Sequence, residues 1–311
     1  MRCLVTGGAG FIGSNLARAL LEKGYSVRIL DNFSTGRREN LAGILDDIDL
    51  VEGDLRDVST VERAVGSVEV VFHQGALPSV PRSIADPVTS NEVNVTGTLN
   101  LLKAALDAGV RRVVFASSSS VYGNAPEPVK HEELPTRPLS PYAVGKLAAE
   151  KYCQVFHGVY GLETVCLRYF NVFGPGQDPG SAYAAVIPLF TTAVLQGRPP
   201  VINGDGGQSR DFTFVSNVVS GNMLAADAEG AEGQVMNLAC GGSISVLRLA
   251  SEIIGLLGRT DIVPVHGPER PGDVRNSLAD ISKARRILGY EPLATFEEGL
   301  AITVDWLRGR G

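Results

Sequence analysis

The sequence predicts an α/β protein with a doubly wound parallel sheet, joined by a smaller, mixed α/β domain. Three observations predict it. Short β-branched runs alternate with segments whose apolar residues recur at helical spacing. Those runs are apolar on both faces, as strands covered by helices above and below must be. After about residue 170 the rhythm loosens into Gly- and Pro-rich pieces such as "NVFGPGQDPGS", "GRPPVINGDGGQSRD" and "HGPERPGD", and long irregular segments of this kind line sites.

The elements follow in chain order. "RCLVT" reads as a first strand, followed by a glycine turn and the helix of "FIGSNLARALLEKG". "YSVRIL" is a second strand ending at Asp31, and a third precedes "EGDLRD". "VEVVFH", "RRVVFAS" and "LETVCLRYF" supply three more. Between the last two lies "SPYAVGKLAAEKY", where Ser140 suits an N-cap and Pro141 the first helical position, so the helix start is well defined. The expected division is residues 1–170 for the first domain, with a later segment at about 211–240 returning to it, and 171–311 for most of the second. No repeat, low-complexity tract or linker separates them.

A chain of 311 residues with 44% hydrophobic and 20% charged residues holds a sizeable core, which excludes disorder as its main state. The formal charge of −6, without a run of like charges, leaves no footprint for nucleic acid or an anionic membrane. Cys3, Cys153, Cys166 and Cys240 are widely spaced and form no CxxC pair, so neither a metal site nor a disulfide framework is expected. "MRCLVTGGAGFIG" breaks into glycines before a signal-peptide apolar stretch develops, and no run is apolar enough to span a bilayer. The expectation is a soluble protein of the reducing cytoplasm.

In "TGGAGFIG", Gly7, Gly10 and Gly13 stand three apart and Gly8 adds a second GxGxxG reading. A glycine triplet alone is weak evidence. Between a strand and a helix it is stronger, because the backbone then approaches a pyrophosphate and the helix aims free N–H groups at it. Asp31 falls near the ~20-residue offset of a carboxylate that accepts from an adenosine ribose. Such a carboxylate repels a 2′-phosphate and favours NAD over NADP; Arg37 and Arg38 close by weaken that argument unless they are merely solvated. Asp54, after the third strand, either faces the adenine or caps a helix.

Together "TGGAGFIG", "DNFSTG", "GDLRD", "ASSSSVYG", "SPYAVGK" and "RYFNVFGPG" resemble the extended short-chain dehydrogenase/reductase family, specifically its nucleotide-sugar 4-epimerases, over essentially the whole chain. "LRYFNVFGPGQDPGSAYAAVIP" and "INGDGGQSRDF" are more similar to UDP-N-acetylglucosamine 4-epimerases than to those confined to UDP-glucose. The resemblance implies a Rossmann-type NAD-binding domain and a UDP-sugar-binding domain. It places cofactor contacts on Gly7, Gly10, Phe11, Ile12 and Gly13 of the first turn and on Asp31, Asn32, Phe33, Ser34, Thr35 and Gly36 after the second strand. Asp54 and Leu55, then Gln74, Gly75 and Ala76, then Asn94, Ser117, Tyr142, Lys146 and Phe170 complete them.

The family's catalytic Ser, Tyr and Lys match Ser118, Tyr142 and Lys146. Spacing alone is neutral, since residues i and i+4 share a helix face and a Tyr over a Lys stem is common packing. The chemistry is more telling. A Tyr with an ordinary pKa of about 10 needs a shift of roughly three units, or about 4 kcal/mol, to act as a base near neutrality. Lys146 one turn along and a nicotinamide cation are the two expected sources. "SSSSVYG" also lacks the carboxylate that related dehydratases and decarboxylases carry there.

For the substrate, the resemblance implies Ser118, Ser119, Ser120 and Tyr142 at the sugar, with Ser79 beside them, and Asn171 at the diphosphate. Ala185, Val186 and Phe190 would surround the base, with Val201, Asn203 and Phe212 alongside. Arg210 and Arg270 suit phosphate because a guanidinium bonds two oxygens at once, and Asp273 suits the uridine ribose. Ser277 replaces the bulky Tyr of epimerases restricted to UDP-glucose and UDP-galactose, which enlarges the sugar box for an N-acetyl group. The activity implied is NAD-dependent C4 epimerisation of UDP-GlcNAc/UDP-GalNAc and of UDP-glucose/UDP-galactose. Another nucleotide-sugar enzyme of the family (a UDP-glucuronate 4-epimerase, dehydratase or reductase) and a non-catalytic dinucleotide sensor are the alternatives. A homodimer is implied as well, through "NVTGTLNLLKAALDAG" and the Tyr142 helix.

Overall fold

The computed structural model describes residues 1–178, 185–269 and 275–309. Among these, β1 (Arg2–Thr6), β2 (Ser26–Asp31), β3 (Ile48–Glu52), β4 (Val70–His73) and β5 (Arg112–Ser118) form where the apolar runs predict them. With Glu163–Tyr169 and Val235–Leu238 they make a seven-stranded sheet, every neighbouring pair parallel. Its order is Val235–Leu238, Glu163–Tyr169, β5, β4, β1, β2, β3. The direction of winding reverses between β1 and β4, and the crevice beyond their carboxyl ends is where ligands bind such sheets. Every residue of β4 and all but the first of Glu163–Tyr169 are buried, the result of helices on both faces.

The helix α1 (Phe11–Glu22) leaves β1 through the glycine turn. Gly7 has φ of +66°, and a Cβ there would lie 2.7 Å from the Gly75 Cα. A Cβ on Gly13 would lie 2.2 Å from the Gly7 carbonyl oxygen, so its bare backbone is what lets the helix close on the turn. The long helix Pro141–Tyr160 starts as predicted: the Ser140 hydroxyl accepts from the Ala143 amide at 3.2 Å, Pro141 opens the first turn, and left-handed Gly161 ends it.

The second part adds a mixed four-stranded sheet of short strands, ordered Ile244–Ser245, Ser209–Arg210, Asn276–Ala279 and Val129–Lys130. Its register places Arg210 opposite Ser277. It has no separate core. One buried apolar cluster runs from Val5 and Leu16 through Phe170 and Phe173 to Phe212 and Phe296. Phe173 meets Phe212, Phe214 and Phe296 at ring centroid distances of 6.3, 5.6 and 5.9 Å, which ties both parts together through aromatic contacts. The segment Val235–Leu238 pairs with Glu163–Tyr169 at the edge of the main sheet, Val235 opposite Cys166.

Candidate active site

A cleft of about 730 Å³ occupies the crevice at the ends of β1 and β4. Its floor is the glycine turn. Gly10 caps α1 without a side chain, so the first-turn amides of Phe11 and Ile12 are available to an anion, as helix N-termini are. Asp31 closes the end of β2 and is buried; its carboxylate accepts from the Ala9 amide at 2.9 Å and the Phe33 amide at 2.8 Å. Burial pushes its pKa up, and those two bonds pull it back. It therefore shapes the glycine turn as well as lining the cleft.

Asp54 also lines the cleft, held by Arg56 and by the Asn32 amide at 2.8 Å. Hydrogen bonds from the Arg56 side chain are the main reason that its pKa falls to about 2. The capping alternative belongs to Asp57, whose carboxylate accepts from the Ser59 amide at the start of helix Val58–Val65. Arg38 pairs with Glu52 and stacks over the Phe33 ring, and Arg37 reaches Asp178 at 3.1 Å. Both arginines are thus engaged with carboxylates.

Gln74, Gly75 and Ala76 line the same cleft, with Ser79, Ser117, Tyr142 and Lys146. Asn94 does not reach it. Buried in a π-helical turn, Glu92–Thr96, it grips the Leu77 backbone from both sides, accepting from its N–H at 2.8 Å and donating to its C=O at 3.1 Å. Asn94 thereby holds the loop that the cleft uses. Phe170 does not reach it either; it lies fully buried against the Tyr122 ring, and its neighbour Tyr169 is the one that faces the cleft.

A second cleft of about 590 Å³ adjoins the first, and Ile12, Ser117, Tyr142 and Tyr169 belong to both. It gathers Ser118, Ser119, Ser120, Asn171, Arg210 and Ser277. Asn171 adopts φ of +33°, a conformation Asn tolerates better than most residues. Among the described residues the second cleft has no carboxylate in its lining. Beneath it the buried Glu150 carboxylate, paired with Arg168 at 2.6 Å, accepts from the Ser117 hydroxyl at 2.9 Å and so anchors the serine run.

Of the other expected substrate residues, Ala185 lines the first cleft, while Val186, Phe190, Val201, Asn203 and Phe212 line neither. Phe190 and Phe212 are buried in the core, and Val201 is exposed on the strand Val201–Asn203. Arg270 and Asp273 lie outside the described residues. Sequence reasoning missed Tyr169, Tyr122 and Lys130 in the second cleft. Strand alternation in "LRYF" was the available signal for Tyr169, since Phe170 beside it is buried in the core; Lys130 stands in no pattern that would have marked it.

Tyr142 and Ser118 line the second cleft together, with the Ser118 side chain near enough to act on the phenol. Burial raises the phenol's pKa from its ordinary value and the Ser118 side chain pulls it back, so the protein alone leaves the phenol protonated at neutral pH. Lys146 stands one turn along the same helix, buried. The Lys146 ammonium donates to the Ala116 carbonyl at 2.8 Å and lies 5.0 Å from the Phe115 ring centroid, and burial lowers its own pKa to about 8. A protonated phenol at rest, a buried lysine beside it and two clefts meeting there suit proton transfer coupled to a cationic ligand in the first cleft.

The chain belongs to the NAD dependent epimerase/dehydratase family, whose pattern matches residues 3–239. It is 42% identical to a UDP-glucose 4-epimerase of Mycolicibacterium smegmatis over 100% of this chain and 99% of the relative. Among solved structures, a UDP-N-acetylglucosamine 4-epimerase of Methanobrevibacter ruminantium, in complex with UDP-N-acetylmuramic acid, superposes with a TM-score of 0.95 at 42% identity, covering 100% of this chain and 99% of the other. A UDP-glucose 4-epimerase of Thermotoga maritima with UDP-glucose gives 0.94 at 38% identity and the same coverage.

Proposed function

We propose that this enzyme epimerises C4 of a UDP-hexose through a 4-keto intermediate, interconverting UDP-GlcNAc with UDP-GalNAc and also accepting UDP-glucose and UDP-galactose. The observation that carries the reading is Tyr142 standing in both clefts while no carboxylate lines the second among the described residues. A dehydratase or decarboxylase needs a further acid or base for elimination, and the serine run offers hydroxyls only. The family and the epimerases it resembles support the same reading.

NAD fits the first cleft: the bare glycine turn leaves backbone room and free amides for a pyrophosphate, and Asp31 retains acceptor capacity for a ribose. Bound there, it would supply the acceptor and then the donor of the C4 hydride. Tyr142 removes the C4 hydroxyl proton and later gives it back, and Ser118 holds that oxygen in place. Lys146, charged below about pH 8, supplies positive potential on the cofactor side. Asn171 and Arg210 grip the diphosphate, with Arg270 assigned to the same work and Asp273 to the ribose. Val186, Phe190, Val201, Asn203 and Phe212 are assigned to the uridine side. The sugar must turn between the two hydride transfers, so the hold is on the nucleotide.

In this reading residues 1–170 with the return at 211–240 bind NAD, and most of 171–311 binds the UDP-sugar. The protein works as a cytoplasmic homodimer. Its free cysteines favour a reducing compartment. Val144, Tyr152, Val155 and Val159 lie exposed along the tyrosine helix at spacings of 8, 3 and 4, an apolar seam suited to a second copy. Leu101, Leu102, Ala104 and Ala105 of the neighbouring helix are instead spent in the core. Among the described residues no helix is long and apolar enough to cross a membrane.

The test is incubation with a panel of UDP-sugars and analysis of products at C4, together with assay of the dinucleotide released on denaturation. Epimers and released NAD are expected. Net NADH formation or a 6-deoxy product would overturn the reading.

A further inference from the structure

Asp211 is fully buried and does not line the second cleft, although its neighbour Arg210 does. Its carboxylate accepts from the Cys240 amide at 3.0 Å, the Gly241 amide at 3.0 Å and the Ala279 amide at 3.3 Å. Two of these amides follow the edge strand of the main sheet and the third ends a strand of the small sheet. The Asp211 N–H donates to the Ser277 carbonyl at 2.7 Å, and its own carbonyl accepts from the Asn171 side chain at 3.2 Å. Arg210 precedes it and faces Ser277 in register. One residue is therefore bonded to, or adjacent to, every segment that brings Asn171, Arg210 and Ser277 into the cleft.

The arrangement is more than a turn contact. A buried carboxylate is costly unless its lone pairs are filled, and here backbone amides from the loop after the main sheet's edge strand and from the end of a small-sheet strand fill them. Displacing either sheet relative to the other leaves an acceptor or a donor unpaired, at a cost of about 1–3 kcal/mol for each group. The spacing between Asn171, Arg210 and Ser277 is thus set by a group that never meets the substrate. We infer that Asp211 is the positioning residue of the nucleotide-sugar cleft, clamping the small sheet to the main sheet at the distance that grips a UDP-sugar. The inference rests on the proposed function and names what builds its substrate site.

Asp211→Asn is nearly isosteric, yet its NH₂ faces amide donors where the carboxylate accepted. In the NAD-loaded enzyme the variant should raise KM for the UDP-sugar tenfold or more, change kcat less than threefold and keep the cofactor, because none of Asn171, Arg210 and Ser277 lines the NAD cleft. UDP binding by calorimetry should weaken in parallel. A lower melting temperature with unchanged KM and UDP affinity would show a merely structural residue and overturn the inference. So would a loss of cofactor together with activity, which would place the effect on the whole fold.

If the variant does not fold, the wild-type enzyme supplies the test. Burial raises the Asp211 pKa to about 6, so acid below that value turns one of its two acceptor oxygens into a donor facing amide N–H groups. The titratable groups against it, Cys240 and Tyr290, both have raised pKa values and stay neutral in this range. KM for the UDP-sugar, whose diester diphosphate does not titrate there, should rise as pH falls through about 6; a flat KM would refute the clamp. A wild-type protein that binds no UDP at all would refute the proposed function instead.

Discussion

The two clefts share a wall and differ in how they are made. The cofactor cleft is built around a bare glycine turn and from a few contiguous runs: residues 7–13, 30–37, 53–55 and 74–79 supply most of it. The sugar cleft is built from side chains on scattered segments, with Ser118 on β5, Tyr142 on the long helix, and Asn171, Arg210 and Ser277 from three separated pieces. A site built on a glycine turn tolerates little change at those glycines. A side-chain site depends on the elements that carry its groups, so Asp211 and the Arg168–Glu150 pair matter without facing the ligand.

That contrast can be broken, or sharpened, by substitution. The largest effect is expected at the shared wall: Tyr142→Phe should lose about 10²–10⁴-fold in epimerase rate while retaining NAD, as measured by turnover and by cofactor released on denaturation. Retained turnover would detach Tyr142 from both clefts' chemistry. Next comes the backbone side. Gly13→Ala introduces a Cβ 2.2 Å from the Gly7 oxygen, and the helix must move away from the turn. A destabilisation of about 1–3 kcal/mol is expected, with dilution-sensitive loss of NAD, followed by thermal unfolding and cofactor content.

Smaller, and confined to the sugar side, is the effect of Ser277→Tyr. Filling the cleft opposite Arg210 should lower kcat/KM for the N-acetylated pair by about tenfold or more relative to UDP-glucose and UDP-galactose, with NAD content unchanged. Equal losses on both pairs would mean that position 277 does not select the sugar. The smallest effect is a pH limb. Burial lowers the Lys146 pKa to about 8, so its charge is present below that value and lost above it, and the pH–rate profile should fall on the alkaline side near pH 8. Lys146→Met should be slower at every pH and lack that limb.

Buried polar groups outside the clefts show the same division. His73 is fully buried between Thr6, 2.7 Å away, and Thr98, 2.9 Å away. Thr98 donates to the Asn94 carbonyl at 2.8 Å and Thr6 accepts from the Gly75 amide at 3.0 Å, which assigns the imidazole proton to Nε2 and leaves Nδ1 to accept from the Thr6 hydroxyl. Burial holds this imidazole neutral, with a pKa of about 3. The floor of the cofactor cleft is thus braced by a neutral, directed chain, while the sugar cleft is braced by charged groups.

The strand runs, the glycine turn, the Ser140–Pro141 helix start and the reach of Asp31 were determined by local sequence alone. Each depends on interactions within a few residues or within one βαβ unit: apolar periodicity, a missing Cβ, a capping hydroxyl. Those properties survive in the linear chain, and so nearly every expected cofactor residue lines its cleft. Only the tertiary structure decided which face of "RYF" meets the cleft, that Asn94 grips a loop, and that Lys146 bonds the Ala116 carbonyl. Only it placed Asp211 between two sheets, and set Arg210 opposite Ser277. Register, burial and donor–acceptor balance are properties of packed neighbours far apart in the chain, and no short stretch of residues carries them.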